Sequence, residues 1–486
     1  MISKEQRSKY QVVIGLEVHA QLMTESKIFS GDGNAFGSTP NTNISAVSLG
    51  HPGVMPKLNK KAVELAIRMG LACNCEITRF GYFDRKNYFY PDLPKGYQMT
   101  QDKTPICVGG FVPIDESNGQ NNVSLNRIHL EEDAGKSIHA DGEPDSLIDL
   151  NRAGVPLIEI VTEPEIYSSE AAGAFLTEVR RLVRYLGVCD GNMEEGSLRC
   201  DANISVRLIE ETKLGTKVEV KNMNSIKSVI KAIDHEVKRQ IHMIENGRVI
   251  ISETRTFNPD KGDTTGMRTK EELNDYRYFP EPDLSPLQVS EEWLSEIKNN
   301  MPELPSEMKE RFKEQYKLKE YDAAVLTDQR DLAYLFDELC GQTTNYKAAA
   351  NWLMGPVKSY INEHGISFGD LPIKSARIAN VIALIDENKV SFTAASQQLL
   401  PYLFEHPEEN ALHAAELLDI IQNSDAGNIQ TVIDEVLSSN ADKVKEYRNG
   451  KKGLIGMFMG ELMKKTKGSL DPKIANKLLR ESLESK

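Results

Sequence analysis

The spacing of apolar residues changes once along this chain, at "NNMPELPSEM". Before it, apolar and polar residues alternate in short runs punctuated by glycine, the two-residue period of strands. After it, apolar residues recur three and four apart, the period of helices, in "AAVLTDQRDLAYLFDELC", "AAANWLMGPVKSYI" and "SARIANVIALIDENK". Two nearby prolines, Pro302 and Pro305, mark the change as a linker. The expected class is α+β: a mixed α/β domain over residues 1–294, a helical domain over 295–410 and a small helical tail over 411–486. Strands are expected at Val12–Leu22, Gly109–Ile114, Leu157–Val161, Ala202–Arg207 and Lys217–Lys221. A helix is expected over Ser168–Leu186, opened by serine, striped by Phe175, Leu176, Val179, Leu182, Val183 and Leu186, and ended by Gly187.

Charge narrows the partners. The net charge of -14 excludes indiscriminate coating of nucleic acid. Yet Ala441–Arg480 carries 11 Lys/Arg against 4 Asp/Glu, so the tail is a local basic face suited to a polyanion or simply to water. The six cysteines form no C-x-x-C pair and read as reduced thiols of a cytoplasmic protein. The opening "MISKEQRSKY" has no signal-peptide core, and no run of about 18 apolar residues spans a membrane.

The chemistry gathers in five polar stretches of the first domain. In "VVIGLEVHAQL", Glu17, His19 and Gln21 share one face of a strand, as metal ligands or as the wet side of an edge strand. "FDRKNYFYPDLPKGYQ" sets Arg85, Lys86 and Lys95 among aromatics, and "RIHLEEDAGKS" sets Glu131 and Glu132 after an apolar run. In "PLIEIV" a carboxylate, Glu159, sits mid-strand, where it must bind a cation or pair, Arg152 being the candidate pair. "MEEGSLRCDANISV" adds Glu194, Glu195, Arg199, Asp201 and Asn203. Glu17, Glu131 and Glu159 together would make an oxygen site for a hard cation, and His19 would also admit Mn²⁺ or Zn²⁺. Lysines beside such a site suit phosphoryl chemistry. The usual nucleotide signatures are missing: "DAGKS" lacks the first glycine of a P-loop, since Leu130 stands there. There is no G-x-G-x-x-G opening a helix and no G-x-S-x-G elbow.

These stretches, with "DYRYFPEPDL" and the tail run "GLIGMFMGELMKKTKGSLDP", closely resemble the B-subunit family of the aspartyl/glutamyl-tRNA amidotransferases of heterotrimeric type. The resemblance runs from about Tyr10 to the C-terminus. It implies a cradle-shaped catalytic domain, an all-helical domain and a YqeY-like tail that touches tRNA. It implies a ligase that uses ATP and Mg²⁺ to phosphorylate the side-chain carboxylate of Glu or Asp held on the wrong tRNA. Ammonia from the glutaminase, or A, subunit then gives the amide, and the pair is clamped by a small C subunit. By the family's pattern the metal ligands are Glu17, His19, Glu131 and Glu159, with Lys86 and Lys95 near the ammonia exit and Asp201 and Asn203 extending the site. The tail lysines Lys451, Lys452, Lys464, Lys465 and Lys467 would meet tRNA. Many relatives bind zinc through cysteines after the first strand; "SGDGNAFGSTPNTNISAVSLGHPG" has none, so no structural zinc is expected. The competing classes are a tRNA-binding scaffold without chemistry and a metal-dependent hydrolase, which needs an open metal position but neither ATP nor a basic tail.

Overall fold

A computed structural model describes residues 3–116, 119–139, 145–269, 276–422, 426–466, 470 and 472–484. It divides into two compact units, Met1–Leu304 and Pro305–Lys486.

The first unit is built on a 13-stranded sheet. Its central strands are β1 (Tyr10–Gln21), β2 (Asp84–Asn87), β3 (Tyr97–Thr100), β4 (Gly119–Glu132), β5 (Pro156–Thr162), β6 (Leu198–Leu208), β7 (Val218–Met223), β8 (Glu253–Asn258) and β9 (Asp263–Thr269). The order across the sheet is β9-β8-β7-β6-β1-β5-β4-β3-β2, followed by the short strand Phe279–Pro280. Neighbours run antiparallel except the parallel pair β7–β8. β1 is therefore not an edge strand. It is flanked by β5 and β6, and its polar face must look into something other than an open margin.

Each strand's alternation sorts its residues. Leu16, Val18 and Ala20 of β1, Ile158 and Ile160 of β5, Ile128 and Leu130 of β4, and Cys200, Ala202 and Ile204 of β6 are all buried. Three helices join that apolar core: α1 (Lys60–Ala72), α2 (Ser169–Tyr185) and α3 (Ile226–Glu245). α2 realises the expected helix to within a residue at each end. Ser168 Oγ accepts from Ala171 N at 3.0 Å, and Gly187 takes φ +62° just beyond the last turn, which glycine adopts without strain. With one face of the sheet committed to the core, charged residues of the central strands gather on the other face in a common cleft.

In the second unit the expected helices form, with breaks the periodicity does not show. "AAVLTDQRDLAYLFDELC" splits into Glu320–Leu326 and Arg330–Cys340. "AAANWLMGPVKSYI" is Tyr346–Trp352, a π-helical turn over Leu353–Val357, then Lys358–His364. Pro356 lies in that turn; it has no N–H to give the helix, and the wider turn absorbs the interruption. Phe312, Phe336, Trp352 and Leu403 are buried in this bundle. The helix Ala411–Leu417 packs on Ser375–Asp386, so residue 411 falls inside the bundle. Residue 294 likewise falls within the helix Glu291–Asn299, which packs on α1 of the first unit. The last section has a core of its own, including Ile429, Ile433, Phe458, Leu462, Leu470 and Leu479. Its helices are Ala426–Ser439, Ala441–Arg448, Ile455–Lys465 and Pro472–Glu484, of which the sequence pattern distinguishes the last two. The helix signals at Gly468 and Asp471, and Lys467 with them, lie outside the described residues. All six cysteines are free and buried, and no described helix is long and apolar enough to cross a membrane.

Candidate functional site

Strand register assembles the site. His19 of β1 stands opposite Glu159 of β5, and Glu159 stands opposite His129 of β4. Three adjacent strands thus place imidazole, carboxylate and imidazole in one row, at the separation where cross-strand side chains touch. Glu131, two residues beyond His129, projects from the same face. His19 Nε2 lies 3.5 Å from Glu159 Oε2 and 3.8 Å from Glu131 Oε1. His129 Nε2 lies 3.3 Å from Glu159 Oε2 and 3.6 Å from Glu131 Oε2.

A second group forms one step along the same face. Glu17 stands opposite Asp201 of β6, and Asn203 opposite Glu219 of β7. Asn203 Nδ2 donates to Glu17 Oε1 at 2.9 Å. Lys221 pairs with Asp201, and its Nζ is 3.1 Å from Glu219 Oε1. Both groups, apart from Asn203, line a single cleft of about 860 Å³, together with Lys86, Tyr88, Arg199, Tyr276 and Tyr278.

The charges tune one another. Burial works against a charged His19, but the hydrogen bond and charge of Glu159, with Glu131 and Asp201, push it up to about 9. His129 is raised the same way, against burial, by Glu131 and Glu159. Glu159 is held well below the usual carboxylate range: burial opposes ionisation, and the two imidazoles more than offset it. Glu17 is raised, first by burial and then by the repulsion of Glu159, Asp201 and Glu219. Burial lowers Lys86 less than Glu131 and the tyrosine pair Tyr276 and Tyr278 raise it, so it stays a cation.

The donor chemistry decides which group suits a divalent cation. His19, Glu131 and Glu159 each offer a ligand atom, all within 4.8 Å of one another, and so do Glu17, Asp201 and Glu219. Lys221 already pairs with Asp201 and Glu219 of the second set. The first set packs its carboxylates against two imidazoles, and a divalent ion would answer the same field with more charge. His129 Nδ1 is buried with no hydrogen-bond partner among the described residues, so this ring is held by its Nε2 side alone. His19, Glu131 and Glu159 are thus the group that could hold a divalent cation.

Two sequence expectations change here. Glu159 does not pair with Arg152. That guanidinium donates to Ala134 O at 2.9 Å and Gly135 O at 2.6 Å, and it shares Asp133 with Arg199. Asp133 is held below its usual range, against burial, by Arg199 and Arg152. The four expected ligands also do not form one set. Glu17 shares the cleft with His19, Glu131 and Glu159 but groups with Asp201 and Glu219.

Of the basic candidates, Lys86 lines the cleft and Lys95 does not. Neighbours on a strand face opposite ways, so Glu131 enters the cleft while Glu132 turns away to Lys95 Nζ, 2.6 Å from Oε2, and to Met99 N. Lys95 and Glu132 line a separate cavity of about 260 Å³, with Lys27, Phe29 and Arg85. In the tail, Lys465 meets Glu435 at 2.6 Å and Lys451 meets Glu446 at 3.1 Å, while Lys452 lies 4.3 Å from the Tyr447 ring centre. Lys464 lies in the last turn of the helix Ile455–Lys465.

Sequence reasoning missed His129, Glu219 and Lys221 and gave Arg199 no role. His129 had a signal: it precedes Glu131 by two residues, as Glu17 precedes His19. The others need the sheet order, which no local pattern carries.

The chain is similar in sequence to known proteins. A model of the GatB/GatE catalytic domain matches residues 12–295, and a GatB domain model matches residues 334–483. The B subunit of an aspartyl/glutamyl-tRNA(Asn/Gln) amidotransferase from Trichlorobacter lovleyi is 48% identical over 479 residues, 98% of this chain and 99% of the relative. A protein of the same name from Thermodesulfovibrio yellowstonii is 47% identical over 474 residues, 97% of this chain and 98% of the relative. One from Caldanaerobacter subterraneus subsp. tengcongensis is 46% identical over 475 residues, 98% of this chain and 99% of the relative.

Proposed function

This chain belongs to the GatB/GatE family, the B subunits of the aspartyl/glutamyl-tRNA(Asn/Gln) amidotransferases, and on that footing we propose that its cleft activates the side-chain carboxylate of Glu or Asp borne on a misacylated tRNA. The γ-phosphoryl group of ATP moves to a carboxylate oxygen and ADP leaves. Ammonia then attacks the carbonyl carbon, phosphate departs, and the amide remains. A carboxylate is a poor electrophile for ammonia, and the acyl phosphate divides one hard step into two easier ones.

The observation that carries this reading is a cleft in which His19, Glu131 and Glu159, from three adjacent strands, share one lining with the cation Lys86. Mg²⁺ held by His19, Glu131 and Glu159 would supply Lewis-acid charge where two anions must meet. Lys86 and Arg199 line the same cleft and offset negative charge on the incoming groups. Asp201 and Glu219, tied to Lys221, and Glu17, held by Asn203, form a fixed wall rather than a second metal seat. The buried apolar face of the sheet keeps this polar row rigid, which positions the reacting groups. Ammonia comes from the glutaminase, the heterotrimer is completed by the small C subunit, and the basic tail holds the tRNA.

Purified with its partner subunits, the complex should split ATP only when misacylated tRNA is present. ATP turnover indifferent to that tRNA would remove the proposed coupling.

A further inference from the structure

The mouth of the cleft carries aromatic rings that the metal and carboxylate chemistry does not use. Tyr88 and Tyr276 meet edge to face, with ring centres 6.1 Å apart and planes at 75°. Tyr276 and Tyr278 repeat the contact at 5.9 Å and 64°. All three rings line the cleft. Lys86 Nζ lies 4.9 Å from the Tyr276 ring centre and 5.9 Å from that of Tyr88, joining the row to the charged floor.

The backbone beneath the row is strained and clamped. Arg277, between the two outer tyrosines, has φ +44°, a conformation that costs a non-glycine residue of order 1 kcal/mol. Asn87 holds it there: its N donates to Tyr276 O at 3.0 Å, and its Nδ2 donates to Tyr276 O at 3.1 Å and Arg277 O at 2.9 Å. Tyr276 and Tyr278, two residues apart, both reach the same cleft. Tyr278 is 39% exposed, so part of its ring is open to solvent. An edge-to-face contact uses one face of one ring, so the row keeps ring face for a flat ligand.

We infer that Tyr276 and Tyr278 are positioning residues that stack a purine base at the cleft mouth. The inference rests on the proposed function, which brings two purines to this cleft: the adenine of ATP and the terminal adenosine that carries the amino acid. Stacking is indifferent to hydrogen-bonding pattern and strong enough to orient either. The shared chemistry is an adenine ring, and the source is for experiment to distinguish.

The test uses the whole heterotrimer. In Tyr278→Trp, indole emission above the wild-type background should be quenched by a stacked base. Quenching by a non-hydrolysable ATP analogue alone assigns the base to the nucleotide; quenching by misacylated tRNA alone assigns it to the acceptor end. In parallel, Tyr278→Leu, which keeps bulk without a π face, should raise KM about tenfold for that same substrate, ~1.4 kcal/mol, and leave kcat within about twofold. Tyr278→Phe should behave as wild type. Wild-type KM values in Tyr278→Leu, together with no quenching by either substrate in Tyr278→Trp, would overturn the stacking role while leaving the wild-type reaction intact. A wild-type complex without tRNA-dependent ATP turnover would instead overturn the functional reading beneath it.

Discussion

Lys27 is 1% exposed and sits beside the Lys95–Glu132 pair in the smaller cavity. Burial lowers its amine from 10.5 to about 8, although Asp32 and Glu132 pull it upward. Between those two values the unfolded chain holds a proton that the folded chain has released. Stability contributed by this group therefore rises with pH from about 8 to about 10.5, and is flat below that window. Melting of wild type and Lys27→Met across pH 7–10.5 should show that rise in the first and lose it in the second; parallel curves would contradict it. Single residues also mark what the sequence could reveal. Glu159 was conspicuous because a carboxylate amid Leu, Ile and Val needs an answer, but its answer, two histidines rather than Arg152, lies on neighbouring strands. Local pattern exposes the question, and register supplies the partner.

At the scale of elements, α2 was legible because every signal for it is local: Ser168 as cap, an apolar stripe, Gly187 as stop. Replacing Ser168 by Ala removes the bond to Ala171 N and should cost about 1 kcal/mol. Denaturant unfolding should show a lower midpoint at unchanged slope, and an unchanged midpoint would mean the cap contributes nothing. β4 was harder to read, because "NNVSLNRIHLEE" holds polar residues on both sides of its apolar positions and spends its last residues in two different cavities. The π turn at Leu353–Val357 was not legible at all: proline in a helical run predicts a break or kink, and widening the turn is a tertiary accommodation.

For the molecule as a whole, the change of apolar period at "NNMPELPSEM" matches the division after Leu304. The tail's separate core from Ile429 to Leu483 makes it the piece to remove, and the cut belongs after residue 422 rather than at 411, which would open the bundle. Removing it should raise KM for tRNA while ammonia-dependent chemistry in the cleft continues. Lys465 and Lys451 already face carboxylates, so the salt slope of tRNA binding should flatten by about one unit for Lys464→Ala and less for Lys465→Ala. Equal tRNA affinity with and without the tail would make it a solvated surface only.

The central claim is that the His19–Glu131–Glu159 row serves carboxylate activation. Hydroxylamine traps an acyl phosphate as a hydroxamate, so the heterotrimer can be incubated with ATP, Mg²⁺ and misacylated tRNA and the hydroxamate counted for wild type and Glu159→Gln. The account predicts hydroxamate from wild type and a loss on the order of 10²-fold in the variant, with melting showing that the variant is folded. A folded Glu159→Gln complex that forms hydroxamate at the wild-type rate would contradict it.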